Sequence, residues 1–165
     1  LIILRDKQAN EAKLLTKAGF TAIGLKWEGT FVGAAAGEIR NLQRELRRRV
    51  HEIVDALEPD RFFGLSYHAN PASNGFIHYA VVEVTDVEKI PSGMEIVTLP
   101  ELTYATCDHE KGQAIDRSYQ NIYEWIQSQG YEENSVGHLT HVELYKMDKI
   151  EEEPEFTILI PVKKS

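Results

Sequence analysis

The chain has 165 residues, enough for one domain, or two small halves sharing a core, to fold without covalent staples. Lys plus Arg total 18 against 26 for Asp plus Glu, and the formal charge of −8 argues against a general nucleic-acid binder, whose affinity rests on neutralising phosphates, and mildly favours cationic ligands. The lone Cys107 excludes an internal disulfide and fits a reducing, cytoplasmic setting, while the apolar start L-I-I-L at 1–4 has neither the basic leader of a signal peptide nor the length of a membrane span.

In chain order, F-T-A-I-G-L-K-W at 20–27 alternates and is rich in β-formers, which predicts a strand that begins as early as Leu14. After the turn-like Glu28-Gly29-Thr30, Ile39, Leu42, Leu46, Val50, Ile53 and Leu57 recur at helical spacing, and Pro59 ends the pattern. Strands are predicted over 62–68 and 77–84, joined by the turn N-P-A-S-N-G at 70–75. After a linker at 90–93 come strands over 94–99 and 102–109, a helix over 112–129 stopped by Gly130, and strands over 140–146 and 156–162.

The two series share one order: strand, helix, strand, strand. Halves of about 14–90 and 91–165 can be laid over each other, and the alignment of Tyr67 with Tyr145 sets Leu65 against Glu143. Alternation in H-V-E-L-Y at 141–145 puts His141, Glu143 and Tyr145 on one face of a strand. That face either meets water, the ordinary place for a glutamate, or lines a pocket. The aliphatic counterpart Leu65 and the same-face His141 and Tyr145 favour the pocket. A buried glutamate there would need a cationic ligand or a donating tyrosine to stay ionised.

Other motifs carry less. His138 and His141 have no third partner at metal-ligand spacing, so no metal site is expected, and the sequence holds no Walker loop, G-x-S-x-G or dinucleotide fingerprint that would imply a cofactor. Alternation sends Cys107 and Asp108 to opposite faces, which favours a buried, inert thiol. The helical run R-E-L-R-R-R at 44–49 reads as a solvated face. Tyr67 and Tyr104, on strands of the two halves, are core aromatics by default and wall residues if a cleft lies at the join; Trp125 falls beside the helical stripe of Ile115, Tyr119, Ile122 and Ile126, bordering the core.

Taken with the duplicated order, three stretches make the sequence resemble the GyrI-like effector-binding family over nearly its whole length: Y-A-T-C-D-H-E-K-G leading into S-Y-Q-N-I-Y-E-W-I, then H-V-E-L-Y, then F-T-I-L-I-P-V. The resemblance implies a single α+β domain over 1–165, with pseudo-twofold symmetry, a curved antiparallel sheet, two helices on one face and a cleft along the join. It implies that Glu143 faces hydrophobic, cationic aromatic ligands in that cleft among Trp125, Tyr145, Tyr67 and Tyr104. No helix-turn-helix pattern precedes the domain, so the expectation is a stand-alone small-molecule binder that senses or sequesters, without direct nucleic-acid or membrane binding. Two alternatives come with the family: a hydrolase that opens strained cyclopropanes, with Glu143 and Tyr145 as catalytic residues, and a protein-binding inhibitor of a target such as DNA gyrase.

Overall fold

The computed structural model describes residues 10–69 and 74–165. The apolar start and most of the turn predicted over 70–75 lie outside the described residues. The elements are β1 (Lys13–Lys17), β2 (Phe20–Thr30), α1 (Phe31–Ala35), α2 (Glu38–Arg49), β3 (Arg61–His68), β4 (Gly75–Val84), β5 (Glu95–Leu99), β6 (Leu102–His109), α3 (Ile115–Ser128), β7 (Tyr131–Glu133), β8 (Leu139–Lys146) and β9 (Phe156–Lys164).

The strands form one antiparallel sheet in the order β1-β6-β9-β8-β3-β4-β2-β5, with β7 added to the end of β9. The central pair β3·β8 is the join between the halves, and reading outward from it gives β4, β2, β5 on one side and β9, β6, β1 on the other. Each half therefore lends its first strand to the other. β1 leads into β2 but pairs with β6, and β5 leads into β6 but pairs with β2. The short β1–β2 and β5–β6 connections meet at Gly19, where a Cβ would come within 2.9 Å of the Leu99 carbonyl oxygen.

Alternation splits the buried residues between two faces. One face packs Phe20, Phe63, Leu65, Val81, Leu99, Leu102, Tyr104, Val142 and Leu159 with no helix over it among the described residues. Leu99 and Leu102 lie on strands far apart in sheet order, yet they share this cluster, so the sheet curls around it. On the other face α2 covers Ile23, Phe62, Ala80 and Val82 through Leu46, and α3 covers Ala105, Cys107, Ile158 and Ile160 through Ile122 and Ile126.

Three boundaries differ from the sequence reading. The first strand is two, β1 and β2, broken at Ala18-Gly19. The long helix ends at Arg49, not before Pro59, because the following segment is drawn out beside β4: Leu57 donates to the Glu83 carbonyl, and the Thr85 amide donates to that of Asp55. Strand β7 replaces part of the expected loop after Gly130. The arginine run faces outward but is engaged, with Arg44 and Arg47 both bonded to Glu151 of the acidic loop. Such exposed pairs add little stability; they do occupy the guanidinium groups. Among the described residues no helix is long and apolar enough to cross a membrane.

Leu65, fully buried on a central strand, tests the helix-free core. Leu65→Ala should cost about 2–5 kcal/mol, read as a lowered urea midpoint, through lost burial and the cavity left behind.

Candidate functional site

The β3–β8 register sets Phe62 opposite Tyr145, Gly64 opposite Glu143 and Ser66 opposite His141, all on the helix-bearing face. On β4, His78 stands opposite Ser66 and Ala80 opposite Gly64. The join is thus floored by a polar row, with α2 along one side and α3 along the other. The alignment of Leu65 with Glu143 is off by one residue. Leu65 belongs to the opposite core, and Glu143's cross-strand partner is Gly64, since a single step exchanges faces.

Glu143 is the hub of the row. Its Oε1 accepts from the Tyr145 hydroxyl at 2.7 Å, and its Oε2 accepts from the Tyr119 hydroxyl of α3. Burial, reinforced by the Glu143 charge, pushes both phenols well above their ordinary 10, with Gln43 and Arg40 offsetting part of the effect at Tyr145. Both therefore stay protonated and act as donors. The Tyr145 ring is stacked on Phe62 and tilted against Phe156, each at 5.0 Å. Tyr119 meets His141 edge-on at 5.2 Å. Among the described residues Glu143 forms no ion pair with Lys or Arg.

A cavity of about 550 Å³ opens over this floor, in the range of small-molecule sites. Its walls include Phe31 and Ile39 from the α1–α2 side, Phe76 and His78 from β4, Tyr123 from α3, and His141 and Glu143 from β8. Phe31 stacks on Phe76 at 5.0 Å at the mouth although Phe31 is 62% exposed. Among the described residues Glu133 and Glu143 are the acidic lining residues, and no Lys or Arg lines the cavity. A second hollow of about 260 Å³, also lined by Glu143 and Tyr145, mixes charges, with Arg40 and Lys149 beside Glu152 and Glu155.

The structure brings together Glu143 and Tyr145, keeps Tyr67 at the edge of the cavity, and leaves Tyr104 and Trp125 elsewhere. Tyr104 is buried in the opposite core. Tyr67 touches the cavity beside a bulge in β3, but its ring packs edge-on against Tyr79 on that same opposite side. Trp125 packs beneath α3 and does not line the cavity, because it shares the flank of Ser118, whose hydroxyl is bonded to His109. The opposite flank of the helix carries Tyr119 and Tyr123 toward β8. Neither was singled out from the sequence, where Tyr119 fell within the apolar stripe. Their spacing of four residues on one side of that stripe was the available signal.

Cys107 is buried, with its thiol pushed up to about 11, which removes it as a nucleophile. Among the described residues no group of three His, Cys, Asp or Glu could hold a metal ion.

Burial holds His78 neutral, its value pushed down to about 4, and lowers His141 by the same cause. The unfolded chain therefore binds more protons than the fold once pH drops below about 6.5, and stability falls from there toward pH 4. Urea midpoints measured from pH 7.5 downward should show this decline, and His78→Asn should flatten it.

The family model for Cass2, the integron-associated effector binding proteins, matches residues 13–162. A search of curated protein sequences found no match. Among solved structures, the EcmrR C-terminal domain superposes with a TM-score of 0.66 at 16% identity, over 96% of this chain and all of that one. This chain spans 58% of the EcmrR chain seen in a DNA complex. SAV2435 bound to tetraphenylphosphonium gives 0.64 at 18% identity, over 93% and 94% of the two chains. The Vibrio cholerae integron cassette protein VCH_CASS2 gives 0.58 at 15% identity, over 92% and 95%. With the family model covering nearly all of β1 through β9 and the same fold in these neighbours, the chain belongs to the integron-associated effector binding protein family.

Proposed function

We propose that the protein binds hydrophobic, cationic aromatic molecules in the cavity over Glu143, to sense or sequester them in the cytoplasm. The observation that carries this reading is the make-up of the wall: aromatic rings and two carboxylates, with no Lys or Arg among the described lining residues. A cation entering there meets Glu143 already oriented by two phenols, so little reorganisation is needed. The rings of Phe31 and Tyr123 each offer cation–π attraction of about 0.5–2 kcal/mol, the upper end where water is excluded. The tetraphenylphosphonium held by SAV2435 is a ligand of this class on the same fold.

Glu143→Gln keeps the shape and removes the charge. Titration with a fluorescent lipophilic cation should show binding weakened roughly 10- to 100-fold, with a neutral dye of similar shape little affected. Equal loss for both dyes would reject the charge role.

One observation favours a second reading. Two protonated phenols lie within hydrogen-bond reach of one carboxylate, which is the arrangement a general base and a proton donor require. As a hydrolase, the protein would use Glu143 to activate water and Tyr145 to protonate the carbon released from a strained cyclopropane. Incubation with an excess of such a compound should then give many product equivalents per protein, lost in Glu143→Gln. Product limited to one equivalent rejects this reading and leaves the binding one intact.

A further inference from the structure

His78 has a polar atom for which the fold supplies no use. It is 3% exposed and lines the cavity. Its Nδ1 is bonded to the Ser66 hydroxyl at 2.9 Å, whereas Nε2 is buried with no hydrogen-bond partner among the described residues. A buried ring nitrogen left unpaired costs free energy comparable to a lost hydrogen bond.

The atom's position is fixed from two sides. Phe76 meets the imidazole edge-on at 6.3 Å. A Cβ placed on Gly64 would lie 3.1 Å from Nε2 and 3.5 Å from the Tyr145 ring. Nε2 thus sits over Gly64, the residue paired with Glu143. The absence of a side chain at position 64 leaves room for the imidazole to lie over the strand position paired with Glu143.

We propose that His78 Nε2 is a second recognition point, which makes the preferred ligand a cation bearing an N–H group, such as a protonated aromatic amine, over a cation without one. This rests on the binding reading above and narrows its ligand class. A cation at Glu143 favours the tautomer in which Nδ1–H donates to Ser66 and the Nε2 lone pair faces the charge. The ligand N–H then donates to Nε2. Burial keeps the imidazole neutral at pH 7, so the lone pair is available.

The test compares chlorpromazine, a protonated tertiary amine at pH 7, with its N-methyl quaternary salt, which keeps ring system and charge but has no N–H. Calorimetric titration of the wild type should show the amine bound about tenfold more tightly. His78→Asn keeps a polar group near the Nδ1 position but removes Nε2, and should bring the two affinities together. His78→Gln places an amide near the Nε2 position and should retain much of the difference. Glu143→Gln should weaken both compounds alike. Equal wild-type affinities combined with that Glu143→Gln loss would overturn the His78 role and leave the binding function standing. A preference for the amine that survives His78→Asn would also overturn it. If neither compound binds the wild type, the binding reading fails and takes this inference with it.

Discussion

A carboxylate on the helix-covered face of a sheet has to be met by donors or by a counter-charge. Glu143 is met by two phenols. The one on Tyr145 comes from two residues along the same strand, and the one on Tyr119 comes from α3. The second bond ties the position of α3 over the sheet to the state of the carboxylate. Tyr145, wedged between Phe62 and Phe156, cannot turn away without breaking the packing of both halves. The polar row across the join is therefore held in place from the apolar cores on either side of it.

The strand exchange explains why this row can be polar at all. Each half lends its first strand to the other, so the halves are bound through the sheet and through the curled core on the helix-free face. On the other face the large apolar residues gather under α2 and under α3, and between those two clusters the join holds Ser66, His78, His141 and Glu143. The gap between the helices is the cavity. Among the described residues its acidic lining is Glu133 and Glu143, while the neighbouring hollow mixes Arg40 and Lys149 with Glu152 and Glu155. The Glu143 carboxylate lines both hollows.

Much of the fold was legible because it rests on short-range periodicity. The strand and helix positions, the duplicated order and the helix stop at Gly130 all follow from alternation, apolar stripes and a residue suited to positive φ. Boundaries were lost where a long-range bond took over. The residues after Arg49 kept their helical spacing but were claimed by β4, and Ala18-Gly19 broke one apparent strand into two with different partners.

By itself the sequence determined that His141, Glu143 and Tyr145 share a face, since that is a property of any strand, and that a stripe of apolar residues seats the second helix. It did not determine which tyrosines meet the carboxylate. That depends on which face each strand residue takes, where a shift of one residue in aligning the halves set Leu65, which faces the opposite core, against Glu143, and where a bulge leaves Tyr67 at the cavity edge with its ring against Tyr79. It depends also on the rotation of α3, which turns Tyr119 and Tyr123 toward β8 and Trp125 away. The roles of Gly64 and His78 arise in the same way. Both belong to strands of the first half, and only the sheet brings them beside a glutamate of the second.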